Sequence, residues 1–224
     1  MRKQYAVIGL GRFGTSVART LYSLGQEVLV IDNSEGRLKN LADEVTHSII
    51  GDSTDINVLK NIGINNFDVV IVAIGENVQA NIMTTLLLKE LGVKHVVAKA
   101  LTRMQGRVLE KVGADRVVYP ERDMGKRVAH NLVTSNLVDY IELAEGVRVI
   151  EVVALKEMIG RTLQNLNFRA KHGVNVLLIK RTSGETIFSP GASDQIQEGD
   201  IIVIAGEKGA INKFEQKLES SIKQ

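Results

Sequence analysis

The chain contains no cysteine, which removes disulfides, thiolate catalysis and cysteine-ligated metals together. Aromatic residues make up only 4% of the 224 positions, and the formal net charge is +2. Without a basic stripe interleaved with aromatic side chains, no nucleic-acid partner is expected. No apolar run approaches the roughly 18–20 residues that a membrane span requires. The first strand-like run starts at Tyr5 with no signal peptide before it, so the sequence predicts a cytoplasmic protein, or one held at a membrane only through a partner. His47, His95, His130 and His172 are scattered, without the helical spacing of a metal site. Also missing are a Tyr-x-x-x-Lys pair of the short-chain dehydrogenase kind and a glycine-lysine phosphate loop of the NTPase kind. A catalytic apparatus is therefore not expected.

What is present begins with Val7-Ile8-Gly9-Leu10-Gly11-Arg12-Phe13-Gly14, which follows an apolar run and leads into a segment of helical period. In the order strand, turn, helix, Gly9 permits the tight turn, Gly11 lets the backbone approach a pyrophosphate, and Gly14 lets helix and strand pack closely. The free amides at the helix start then face the phosphates. Taken alone, the three glycines need mean no more than a turn at positive φ. Asp32, however, ends the next apolar run, where a ribose-binding carboxylate belongs. The other reading of Asp32 is a cap on the following helix. Because the same carboxylate would repel a 2′-phosphate and Asn33-Ser34 offers no adjacent arginine, NADP is disfavoured. Asp52 lies past the third strand and either reaches the adenine edge or shares a turn in which Ser53 and Asp55 cap the next helix. Arg12 can clamp a terminal phosphate or stand as a solvated loop arginine. Glu121 is either a helix-start acid stabilised by the dipole or a ligand for a hard cation near phosphates.

Hydrophobic residues form 44% of the chain, enough for a substantial core in one large domain or two small ones. Strand candidates Tyr5–Ile8, Val28–Ile31, His47–Ile50, Asp68–Ala73, His95–Ala100 and Arg116–Tyr119 alternate with helical segments. That alternation predicts an α/β fold, a Rossmann-like doubly wound parallel sheet. The helix expected over Val78–Leu91 has an apolar stripe wider than one sheet face needs, read either as a subunit interface or as deeper burial. After Pro120, Met124, Val128 and Leu132 recur at helical spacing in a crossover helix. Beyond Asn136 come closely spaced strands, Asp139–Leu143, Val147–Leu155, Val174–Lys180, Thr186–Ser189 and Asp200–Ala205, with a turn at Ser183-Gly184. A last helix aligns Ile211, Phe214, Leu218 and Ile222. The expected organisation is residues 1–119, a crossover helix over 120–136, and a small C-terminal α+β domain over 137–224. In that domain Arg161, Arg169, Lys171, His172, Lys180 and Arg181 form a locally basic set, either a solvated face or a seat for an anionic partner.

AVIGLGRFG, GDSTD, VVIVAIGENVQAN, TTLLLKELGV, KVGADRVVYPERDMGKR and LNFRAKHGVN occur in this order. Together they resemble the regulator of potassium conductance (RCK/KTN) family, and within it the cytosolic gating subunits of bacterial Ktr-type potassium uptake systems. The resemblance spans almost the whole chain. It implies homodimers within an octameric ring on the cytoplasmic face of a membrane potassium-translocating subunit, with ATP, ADP or NAD(H) bound but not turned over. By matching position, Arg12 resembles the arginine that reaches the terminal phosphate of ATP in the neighbouring subunit. Asp32, Asn33 and Ser34 would hold the ribose, with Asp52 and Ser53 on the adenine side. Ile74, Gly75, Glu76, Lys99, Ala100 and Gln105 would complete a pocket opened by Gly9, Gly11, Phe13 and Gly14. Glu121 resembles a glutamate linked to Mg or another cation near the phosphates. Leu163, Asn167, Arg169, Ala170, Asn175 and Pro190 fall in the region that binds cyclic di-AMP in some members, although Asn167 replaces an acid common there. Two other readings remain: a soluble NAD-dependent oxidoreductase, which needs a proton donor or acceptor near the nicotinamide, and a redox-sensing repressor, which needs a basic recognition helix.

Overall fold

Successive residues of a strand point to opposite faces, and along β1 (Gln4–Ile8) both faces are apolar. Ala6 and Ile8 enter one core, Val7 the other, and all three are buried. A strand of this kind belongs inside a sheet covered on both sides. The computed structural model describes residues 2–133, 137–144 and 146–222, and for 130, 131, 133, 137–140, 142, 144 and 219–222 only the backbone path. Two compact units, Met1–Asp123 and Met124–Gln224, divide inside helix α6 (Pro120–Val133). The boundary expected near Asn136 lies outside the described residues.

In the first unit β1 is joined by β2 (Glu27–Asp32), β3 (His47–Ile50), β4 (Val69–Val72), β5 (Val96–Lys99) and β6 (Arg116–Val118). All pair in parallel, in the order β3-β2-β1-β4-β5-β6. Helices α1 (Arg12–Ser23) and α2 (Glu35–Lys39) bring Ala18 and Leu38 against Val7, Val28, Val30 and Ile71 on one face. On the other, α3 (Ile56–Asn61), α4 (Val78–Glu90) and α5 (Arg103–Lys111) bring Leu59, Leu88 and Leu109 against Ala6, Ile8, Ile31, Val70, Val72 and Val96. Each such fully buried Leu or Ile contributes about 1.5–3 kcal/mol. The arrangement is a Rossmann-like doubly wound sheet. Its strand order reverses between β1 and β4, so a crevice opens beyond the carboxyl ends of those two strands.

Helix α4 inverts the usual amphipathic pattern. Its buried positions are Asn81, Thr84, Thr85 and Leu88, while Val78 and Met83 are each 41% exposed. The two threonine hydroxyls stay inside because each has a hydrogen-bond partner. Thr84 Oγ1 meets Ser53 Oγ at 2.8 Å, and Thr85 Oγ1 donates to the Asn81 carbonyl at 2.8 Å. Small residues next to the sheet let the helix approach closely, and the larger apolar side chains are displaced to its flanks and outer side.

The second unit contains β7 (Leu137–Ala144), β8 (Val147–Val153), β9 (Val174–Lys180), β10 (Thr186–Phe188) and β11 (Ile201–Glu207), antiparallel in the order β10-β9-β11-β8-β7. Together with its helices this is the small α+β domain expected. Helix α9 (Lys208–Ile222) packs Ile211, Phe214 and Leu218 against Ile150, Val152, Ile202 and Ile204. Asp200 precedes β11 because its carboxylate is otherwise engaged, accepting from Arg181 at 2.5 Å and from the Gln197 amide at 2.7 Å. Two short helices, α7 (Leu163–Leu166) and α8 (Phe168–His172), meet at Asn167, whose φ is 49°. At one turn each, they carry no readable period. On α6, Met124, Val128 and Leu132 are exposed.

Candidate functional site

The chain leaves β1 at Gly9, where φ is 92° and an added Cβ would lie 3.1 Å from the Ile74 backbone nitrogen. Gly11 then starts α1 with no side-chain cap, which leaves the first amides of the helix without intrahelical partners. Nothing lies within 4 Å of a Cβ added at Gly11, so the backbone there is open to approach. At Gly14 the same construction places a Cβ 1.9 Å from the Gly9 carbonyl oxygen. Turn, approach and close packing are thus separate tasks of three glycines.

Asp32, at the end of β2, is buried and first holds this loop together. Its Oδ2 accepts from the Leu10 amide at 2.6 Å and its Oδ1 from the Ser34 amide at 2.8 Å. Each carboxylate oxygen retains acceptor capacity, which a ribose hydroxyl can use. Arg37 also lines the cleft, with Nη1 3.6 Å from Asp32 Oδ2. An arginine therefore stands beside Asp32 although none adjoins it in the chain, while the Asp32 carboxylate itself still repels a 2′-phosphate. Helix α2 is a single turn, and that turn returns position 37 to the strand end.

These groups open on a cleft of about 940 Å³, within the range of roughly 300–1,000 Å³ typical of small-molecule sites. Of the residues expected, Gly9, Gly11, Arg12, Phe13, Asp32, Asn33, Asp52, Ser53, Ile74, Gly75, Glu76, Lys99 and Glu121 line it. Four do not. Gly14 lies behind the loop, and Ser34 lends its amide to Asp32. Ala100 is buried, and Gln105 is buried on α5 with Oε1 accepting from the Leu101 amide at 2.9 Å. Asn77 lines it too, as the end of the loop expected over Ile74–Asn77, whereas Ala80 and Leu101 line it without having been expected.

Asp52 accepts from both the amide and the hydroxyl of Thr54, at 2.9 and 2.7 Å. Those bonds hold its carboxyl below the ordinary aspartate range. Ser53 does not cap the next helix, since its hydroxyl meets Thr84. Asp55 does cap α3, accepting from the Asn57 amide at 2.8 Å. At the far end, Lys99 Nζ pairs with Glu121 Oε1 at 2.6 Å and lies 5.9 Å from the centre of the Phe13 ring. Arg12 is exposed at the mouth and has no ion pair or hydrogen bond among the described residues.

The hydrogen bond from Lys99 holds the Glu121 carboxyl below its ordinary value of 4.5. A depressed folded value contributes stability above the unfolded value, lost as pH falls through the folded one. The melting-temperature difference between the protein and Glu121→Gln is therefore expected to be constant from pH 7 to about 4.5 and to shrink below that. Glu121 is 60% exposed, so the difference is small. A difference that grows on acidification contradicts this assignment.

The described residues hold no group of three or more His, Cys, Asp and Glu arranged for a metal ion. A hard cation at Glu121 would need phosphate oxygens and water for its other ligands. The cleft otherwise fits an adenine nucleotide, with open helix amides, a strand-end carboxylate and an uncommitted arginine. In the second unit, Asn167, Arg169, Ala170 and Asn175 are exposed, and Leu163 and Pro190 are half-buried. The small cavity of that unit, about 80 Å³, is lined by other residues, including Leu166, Phe168, His172 and Phe214. Burial, with Lys217 and Lys171 nearby, keeps His172 below the ordinary histidine value. No helix among the described residues is long and apolar enough to cross a membrane.

Residues 5–120 match the TrkA-N domain family and residues 147–219 the TrkA-C domain family. Ktr system potassium uptake protein C of Bacillus subtilis (strain 168) is 49% identical over 218 residues, covering 97% of this chain and 98% of that protein. Ktr system potassium uptake protein A of the same organism is 43% identical, covering 96% of each. Protein A of Vibrio alginolyticus is 39% identical, covering 97% of each. Among solved structures, the GsuK channel bound to NAD superposes with a TM-score of 0.67 at 18% identity, over 97% of this chain and 40% of the channel. That likeness concerns the fold.

Proposed function

The chain belongs to the regulator of potassium conductance family, with a TrkA-N and a TrkA-C domain, and from that premise we propose that it is the nucleotide-binding regulatory subunit of a Ktr-type potassium uptake system. Full-length relatives at 39–49% identity are named for potassium uptake rather than for a reaction, which favours a switch over the oxidoreductase reading. The observation that carries the proposal is Arg12, unpaired at the mouth of a cleft in which Asp32, Arg37, Asp52, Lys99 and Glu121 are each already engaged.

In this reading the α1 amides and Gly11 receive the phosphates, Asp32 the ribose, and Asp52 with Asn33 the adenine side. Arg12 of an adjacent copy closes on the terminal phosphate of ATP, which ADP lacks. A ligand shifts an equilibrium only through its differential affinity for the two states, and a coupling of about 1–3 kcal/mol per site is ordinary. Residues 1–119 carry the cleft, the crossover helix over 120–136 leads to residues 137–224, and dimers build an octameric ring. The ring sits on the cytoplasmic face of the membrane through its potassium-translocating partner. Glu121 supplies one oxygen to a hard cation such as Mg when phosphates supply others. Cyclic di-AMP is assigned to the six second-unit residues in a dimer; in one chain four of them are exposed and Leu163 and Pro190 half-buried.

Co-purification with a Ktr-type potassium-translocating membrane subunit tests the proposal. Capture in a stoichiometric complex, with potassium flux that differs between ATP and ADP, is the expected result. Absence of capture under both nucleotides overturns it.

A further inference from the structure

Asn81 ends the VVIVAIGENVQAN motif. It sits on the inner side of α4 and is fully buried. Its Nδ2 donates to the Ile74 carbonyl at 2.6 Å and to the Lys99 carbonyl at 2.9 Å. The Lys99 carbonyl ends β5 and the Ile74 carbonyl lies two residues past β4, and the loops at these strand ends form one wall of the cleft. Because both partners are acceptors, only the amide nitrogen can face them, which settles the side-chain orientation. Its Oδ1 is buried with no hydrogen-bond partner among the described residues.

We infer that Asn81 is a positioning residue for nucleotide binding: one amide group ties the Ile74–Asn77 loop to the backbone of Lys99, and both to α4. Lys99 carries the pair to Glu121 at the head of α6, so the tie sets where the ammonium stands beside the phosphates. Gly75 and Glu76 hang on the other bond. The same helix shows Val78 and Met83 outward. A ligand that moves either loop must therefore move α4, and pressure on the outer side of α4 must reach the cleft. The inference rests on the nucleotide reading of the cleft.

A double-mutant cycle on the full-length protein tests it, with ATP affinity measured by calorimetry for Asn81→Ala, Lys99→Ala, Asp32→Ala and their combinations. Asn81→Ala is expected to weaken ATP about tenfold. Its effect should be largely absent in the Lys99→Ala background and fully present in the Asp32→Ala background, since Asp32 lies on β2, outside the tie. A purely structural role would weaken both backgrounds alike and overturns the inference, as does unchanged affinity in Asn81→Ala. If Asn81→Ala does not fold, Asn81→Ser takes its place, because a hydroxyl can still reach one carbonyl; it should show a smaller loss with the same dependence on Lys99. Wild-type protein that binds no adenine nucleotide would instead refute the cleft assignment itself, a separate outcome.

Discussion

Arg12→Ala is expected to abolish the preference of the assembled protein for ATP over ADP. Hydrogen bonds to charged groups contribute about 1.5–3 kcal/mol, so ATP affinity should fall on the order of 10- to 150-fold. ADP affinity should stay within about twofold, because its phosphates end short of the arginine and rest on α1 amides that the substitution leaves alone. Arg12 is exposed and unpaired, so its truncation should leave the melting temperature of the ligand-free protein unchanged. Arg12→Lys should recover only part of the loss, since an ammonium is a point charge without the planar fork. Calorimetry with both nucleotides reads these values directly. An equal loss for ATP and ADP would place Arg12 on a shared phosphate and contradict its role as the discriminating group.

Gly14→Ala and Gly11→Ala should separate folding from binding although they lie three positions apart. At Gly14 the new methyl would meet the Gly9 carbonyl oxygen at 1.9 Å. That neighbour is backbone held by Ile31, through the Gly9 amide at 2.9 Å, so relief requires moving α1 off the sheet. Overpacking of this kind costs about 3 kcal/mol or more, equivalent to a fall in melting temperature on the order of 10 °C. At Gly11, φ is −71° and nothing lies within 4 Å of an added Cβ. Alanine there is expected to leave stability within about 1 kcal/mol, while its methyl intrudes where the phosphates approach. Nucleotide affinity should therefore drop at least about tenfold with the fold intact. Thermal melts paired with nucleotide titration check both variants; a stable Gly14→Ala, or a Gly11→Ala that binds normally, would contradict the roles assigned.

The first unit was legible because its strands obey one rule. Val69–Val72 and Val28–Ile31 are apolar on both faces, as a doubly covered parallel sheet demands, and the glycines and Asp32 mark its crevice. What was not legible depends on a turn of chain returning a residue to a place its neighbours do not indicate. Arg37 is five positions from Asp32 and only one helical turn brings it back. Asn81 lies in a helix whose leucines dominate its pattern, whereas α4 buries an asparagine and two threonines that bond Ser53, the helix's own backbone and the carbonyls of Ile74 and Lys99. Ser53 resembles a helix cap in the sequence because its actual partner, Thr84, is 31 positions away. In the second unit, α7 and α8 are too short for periodicity, and Asn167 between them takes a left-handed backbone that glycine more often supplies.

The central claim is that one additional phosphate on a bound adenine nucleotide changes how copies of this protein meet. Small-angle X-ray scattering of the assembled protein, saturated in turn with ATP and with ADP, measures that change directly. Two distinct scattering profiles that become one in Arg12→Ala are predicted. Superimposable ATP and ADP profiles from the unmodified protein, with both nucleotides shown to be bound, would contradict it.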